Sequence, residues 1–188
     1  AEHPNYVSPT GLEKQIAMLG EADALASGDA VYQASTSPIF SIYAKKDNAT
    51  SENIKFALSS TLLVADIETD VTYKETYDNS KWNFAVRLSP IKEIGDTVLG
   101  GATSDYNLEF YGVKMLADEV EEEFTKTTVI TSSNARAAME LAKFVSVGAL
   151  KTDADPTNTT TVRDTDIKVS SVRFWYDYLS DAEIKGHA

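Results

Sequence analysis

Cysteine is missing from this chain, and histidine occurs only near its two ends, as His3 and His187. The first absence removes thiol nucleophiles, CxxC redox pairs and the thiolate sites that hold zinc or iron–sulfur clusters. The second removes His-rich metal sites, so much of metal and triad chemistry is excluded together. Basic residues are scarce as well: 17 Lys plus Arg stand against 29 Asp plus Glu, a formal net charge of −12. A phosphate backbone meets net repulsion from such a chain, which argues against nucleic acid as a partner. No apolar run reaches the roughly 20 residues that span a bilayer, and membrane insertion is not expected. No signal peptide is visible, and the chain opens at Ala1 without Met, as a mature secreted protein or a piece of a longer one would. The strings GxGxxG, GxxxxGK, GxSxG and HExxH do not occur, which leaves nucleotide, zinc and serine-hydrolase chemistry without a foothold.

What is present suits one domain with a sizeable core: 188 residues, 43% of them hydrophobic and 10% aromatic. Thr10-Gly11-Leu12-Glu13 has capping-box spacing, and Leu12, Ile16 and Leu19 share a helical face, so a short amphipathic helix is predicted over 10–19. From about residue 31 the hydrophobic period changes to two. Phe40, Ile42 and Ala44 alternate with polar or small neighbours, as do Ile54, Phe56 and Leu58, then Ile67 to Tyr73, Trp82 to Leu88, and Tyr106 to Phe110. Gly112 invites a turn after the last of these. Ser132-Ser133-Asn134 offers a cap for a helix over Ala135 to Lys143, and strand character returns at Phe144. Ile167, Val169, Val172 and Phe174 resume alternation with a phase shift at Ser170-Ser171 that a β-bulge would absorb. Ser180-Asp181-Ala182-Glu183 opens a C-terminal helix with a second capping box. This pattern predicts an all-β fold, an antiparallel two-sheet sandwich with short accessory helices. It divides into a helical arm or linker over 1–30 and a β-sandwich over 31–188.

The segment Val172-Arg173-Phe174-Trp175-Tyr176-Asp177-Tyr178-Leu179-Ser180-Asp181-Ala182-Glu183-Ile184 resembles the closing motif of concanavalin A-like, laminin G-type jelly-roll domains, written V-R-I-Y-N-x-x-L-S-x-x-E-I. Asp78 to Val86 is similar to that family's N-x-W strand, and Phe144 to Ala149 to its y-I-G strand. The resemblance implies a jelly-roll sandwich, with Trp82 packed between the sheets. The chain departs from the family where Asp164 to Ser171 replaces a glycine-rich approach to the closing motif, and residues 1–30 lack the usual opening strand. Similar closing motifs also resemble those of large bacteriophage and marine viral structural proteins.

Lectins, adhesion modules and glycoside hydrolases share this fold family, so the site residues must separate them. Glucanases of the family carry E-x-D-x-E or E-x-D-x-x-E on one strand, which is not found here. The nearest string, Asp66-Ile67-Glu68-Thr69-Asp70, puts its carboxylates on one face, as any solvated outer strand does. The run Asp118 to Glu123 reads as a charged edge or loop that discourages strand pairing, ahead of any cation site. Asp153, Asp155 and Asp164, with Asn158 and Asp166, offer oxygen ligands at loop spacing, so calcium is the one cofactor considered, behind the plainer reading of a Thr/Asn-rich loop. Trp175, Tyr176 and Tyr178 form an aromatic cluster of the type that packs flat on sugar rings, although strand packing accounts for such rings more often. The expected function is a non-catalytic module of a secreted, cell-surface or virion protein that recognises a glycan or a protein surface. The alternative is a structural virion or tail component acting through protein contacts, with self-association. Glycoside hydrolysis ranks third and needs two carboxylates roughly 5–5.5 Å or 6.5–9.5 Å apart.

Overall fold

A computed structural model describes residues 13–22, 34–46, 51–74, 81–91, 105–140, 143–147, 149–151, 162–164, 168–175 and 177–187. In chain order the elements are β1 (Glu13–Ala22), β2 (Ala34–Lys46), β3 (Ile54–Ser60), β4 (Ala65–Glu68), β5 (Trp82–Pro90), β6 (Tyr106–Leu116), β7 (Glu119–Ile130), α1 (Ser132–Glu140), β8 (Lys143–Val147), β9 (Ala149–Lys151), β10 (Val162–Asp164) and α2 (Asp181–Gly186). The protein is mostly β, and every strand pair described is antiparallel. A five-stranded sheet runs β4-β3-β2-β1-β8, a three-stranded sheet runs β5-β6-β7, and β9 pairs with β10.

Alternation along the strands builds the core. Ile54, Phe56 and Leu58 of β3 and Leu108 and Phe110 of β6 are buried, and both sheets contribute to one hydrophobic cluster. Its centre is aromatic: the Phe56 ring lies 4.7 Å from Trp82, 4.8 Å from Phe84 and 5.7 Å from Phe124. Offset and edge-on contacts of this kind add to the apolar burial that drives the two sheets together. Trp82 therefore packs against the core from β5, as expected. Gly112 does not make a turn. It sits inside β6 opposite Phe124, whose ring lies where a side chain would otherwise stand. A strand glycine here serves close approach.

Four further expectations are corrected. Residues 13–19 of the segment expected to be helical lie in β1, paired with β2 on one side and β8 on the other. An isolated helix of that length is marginal in water, and pairing along both edges outweighs its local spacing. The strand expected over Ile67 to Tyr73 ends at Glu68. The Thr69 hydroxyl accepts the Phe56 N–H at 3.2 Å and donates to the Val71 carbonyl at 3.0 Å, which turns the chain out of the ladder until Tyr73 bridges back to Ile54. Helix α1 starts earlier than expected and ends at Glu140, with Thr131 ahead of it: the Thr131 hydroxyl accepts the Asn134 N–H at 3.4 Å, and its carbonyl accepts the Ala135 N–H at 3.0 Å. Finally, residues 168–175 carry no regular secondary structure, so the strand expected there is not formed. Alternation suits a sequence to a strand, but a strand also needs a partner.

Strand β7 is the element least anticipated. The acidic run Asp118 to Glu123 enters it, and β7 is the edge of its sheet. It joins β6 through Ala117-Asp118, both at positive φ (51° and 66°), the conformation of a two-residue hairpin turn whose twist matches the strands it links.

Candidate functional site

Helix α2 and the residues before it lie against the outer face of the three-stranded sheet. The local chemistry explains the placement. Ser180 caps the helix: its hydroxyl accepts the Glu183 N–H at 3.4 Å, while the Glu183 carboxylate accepts both the Ser180 N–H at 2.8 Å and its O–H at 2.7 Å. These bonds hold the Glu183 carboxyl below the usual range, because they favour its charged form. Ile184 is then buried against Tyr111 and Val113 of β6, with Leu179 packed beside them.

Arg87 of β5 is the hub of this face and is only 7% exposed. Its Nη1 donates to the Leu179 carbonyl at 2.9 Å and to Asp181 Oδ1 at 2.6 Å. Its Nε faces Glu109 Oε2 at 3.4 Å as an ion pair, without the alignment of a hydrogen bond. The guanidinium lies over the Tyr111 ring at 5.2 Å and the Tyr178 ring at 5.1 Å, two cation–π contacts that a desolvated Arg favours. Around it, the Tyr178 hydroxyl donates to Glu109 Oε2 at 2.8 Å, the Tyr111 hydroxyl donates to Glu123 Oε1 at 2.8 Å, and Lys185 pairs with Glu123 at 2.7 Å. Burial, followed by the bond to a carboxylate, pushes both tyrosine hydroxyls above their ordinary pKa; for Tyr178 the nearby Arg87 charge opposes the rise.

The expected aromatic cluster is divided by this arrangement. Trp175 is 52% exposed and stacks on His187 with ring centroids 5.1 Å apart and planes 24° from parallel. Tyr178 is 47% exposed above Arg87, and Tyr176 lies outside the described residues. Strand alternation would turn one of Phe174 and Trp175 into the core, but both are on the surface, Phe174 at 63% exposure. His187 follows the last turn of α2, while Tyr178 lies beside Asp181 at its start, so the two exposed rings sit near opposite ends of a helix about 9 Å long.

Asp153 and Asp155 lie outside the described residues, and Asp164 is placed on β10 opposite Ala149. Among the described residues no group of three Asp, Glu or His side chains is arranged to hold a metal ion. Asp66, Glu68 and Asp70 all point outward, and two of them meet lysines: Glu68 faces Lys45 at 3.5 Å and Lys55 at 3.1 Å, and Asp70 pairs with Lys126. A shallow depression of about 360 Å³ beside Asp66 is lined also by Ser59, Ser60, Thr61, Val64 and Ala65. Its Ser60 hydroxyl is already committed, donating to the Ile39 carbonyl and accepting the Leu63 N–H.

No protein-family model, no curated protein and no solved structure matches the chain.

Arg87 and Glu109 are the site residues that sequence reasoning missed. A signal was present: Arg87 alternates with Val86 and Leu88, which face the core, and so marks the outer face of the strand as its one charged residue. What the sequence does not carry is the partner, which arrives from α2 near the other end of the chain.

Proposed function

We propose that this chain is a non-catalytic recognition module with a jelly-roll sandwich fold, mounted on a secreted, cell-surface or virion protein, and that it engages glycans through the surface around α2. The observation that carries the reading is the pair of half-exposed rings, Trp175 on His187 and Tyr178 on Arg87, fixed near the two ends of one short helix. Sugar rings pack their apolar faces on such aromatic platforms, and their hydroxyls take carboxylate and backbone partners. Glu109 and Asp181 stand beside Tyr178 to accept hydroxyl donors. Because each ring is held by a neighbour, little side-chain entropy is lost on binding.

A glycan array probed with the purified chain, with and without added calcium, tests this. Binding that falls at least about tenfold in Trp175→Ala and in Tyr178→Ala, with the far-UV circular dichroism spectrum retained, supports recognition through these rings. Silence across the array, or binding unchanged in both variants, overturns it. A second reading, a structural component acting through protein contacts, is favoured by the exposure of Val169, Val172 and Phe174 just ahead of the same surface.

A further inference from the structure

We propose that residues 168–175 form a β-strand on the free edge of β7 in a second copy of this chain, joining copies head to tail. This rests on the protein-contact reading and names its partner. The segment Lys168-Val169-Ser170-Ser171-Val172-Arg173-Phe174-Trp175 alternates like a strand, and Val169, Val172, Phe174 and Trp175 are all exposed large apolar side chains. Among the described residues it is paired with no strand. Four exposed large apolar side chains within eight residues suit a contact surface.

Charge selects the acceptor. The segment carries Lys168 and Arg173 and no acidic residue, in a chain whose net charge is −12. Among the described residues strand β7 is the edge of its sheet and pairs with β6, and it begins with Glu119, Glu121, Glu122 and Glu123, of which Glu121 also meets Lys114 and Glu123 meets Lys185. Edge glutamates repel the acidic surfaces that most of a like molecule presents, and they attract a strand whose only charges are positive. Added strands bind through main-chain hydrogen bonds, with side chains supplying the selection. The partner is another molecule for a geometric reason. Trp175 is held on His187, and Lys185 of the same helix is held on Glu123 of β7. The segment is thus tethered within reach of its own β7 and still does not pair with it, despite the high effective concentration of a tethered strand.

Sedimentation velocity on the purified chain across a concentration series is the test. The expected result is association beyond the 20.5 kDa monomer that grows with concentration. Val172→Pro, which removes a ladder donor from an exposed segment, should abolish it with the circular dichroism spectrum retained. Two charge-swapped chains complete the test, Lys168→Glu with Arg173→Glu, and Glu119→Lys with Thr125→Lys. Each alone should associate about tenfold more weakly, and an equimolar mixture should recover, since the acidic segment then meets the edge with the two added lysines and the basic segment meets the unaltered glutamates. A wild-type chain monomeric at every concentration overturns the proposal. So does association that survives Val172→Pro, or a mixture no stronger than its separate components.

Discussion

Arg87 donates to the carboxylate of Asp181 at 2.6 Å across 94 residues of sequence, joining the middle of β5 to the first turn of α2. The same guanidinium takes the Leu179 carbonyl and two tyrosine faces, so one side chain fixes where the C-terminal helix sits. Both exposed rings of the proposed recognition surface depend on that placement.

Replacing Arg87 therefore has a structural and a functional consequence. Arg87→Met keeps the apolar stem and loses the charge, leaving the Leu179 carbonyl and Glu109 without it. Since Asp181 is partly exposed, the expected loss is about 1–3 kcal/mol rather than the larger penalty of a fully buried pair. Arg87→Lys should recover little of this, because an ammonium cannot make the planar fork or the stacked contacts. Urea unfolding measures the stability. Amide exchange at Ile184 and His187, whose N–H groups bond within α2, should accelerate more than exchange in β3. Equal acceleration everywhere would mean that Arg87 supports the whole fold and not the helix.

Much of the β architecture was legible in the sequence because alternation is a local signal. The runs at Phe40, Ile54, Trp82 and Tyr106 all lie in strands, and the Ser180 capping box is formed as spelled. The failures share one cause. Residues 13–19 carry helical spacing but become a strand flanked by two partners, whereas residues 168–175 carry strand spacing and have none. Pairing is decided by distant chain, which a window of neighbours does not contain. The site divides in the same way. Trp175 and Tyr178 stood out by residue type, while Arg87 and Glu109 acquire their meaning only when α2 arrives.

Tyr111 gives a pH dependence with a definite sign. Its hydroxyl is buried and donates to Glu123, so its folded pKa is raised above the ordinary value of 10.0. A raised pKa means that the contribution is complete below pH 10 and is lost as pH rises toward the folded value. Stability measured by urea unfolding should therefore decline above pH 10. Tyr111→Phe should cost about 1 kcal/mol near neutral pH and make that alkaline decline shallower. An unchanged alkaline slope in Tyr111→Phe would assign the decline to other groups, such as Tyr73 and Tyr178, whose hydroxyls are raised as well.

Gly112 is a packing requirement. A Cβ there would stand 2.3 Å from Phe124 Cε1 and 2.5 Å from its Cζ. The ring is held on its other sides by Phe56 and Phe110, at 5.7 and 5.0 Å between centroids, so it has little room to withdraw. Gly112→Ala should destabilise by about 1–3 kcal/mol, the usual cost of overpacking. The double variant Gly112→Ala with Phe124→Leu should lose less than the sum of its parts, a coupling that a double-mutant cycle measures directly. Strict additivity would show that the ring is not what Gly112 accommodates.

Val64 presents the opposite case, a site where the fold is strained and substitution should help. It closes the Thr61 to Val64 turn between β3 and β4 at φ 51°, in the left-handed region that a β-branched residue tolerates poorly. The turn is imposed from outside: the Ser60 hydroxyl bonds both the Ile39 carbonyl and the Leu63 N–H, and Leu63 is buried in the core. Val64 itself is 80% exposed, so little packing is lost with its side chain. Val64→Asn should raise stability by about 1 kcal/mol, since asparagine enters this region readily. Val64→Gly should gain a similar amount from relief of strain, partly offset by the greater freedom glycine gives the unfolded chain. Asparagine should thus equal or exceed glycine, an order that urea midpoints resolve. Destabilisation by both variants would mean that the valine side chain contributes contacts outweighing its strain.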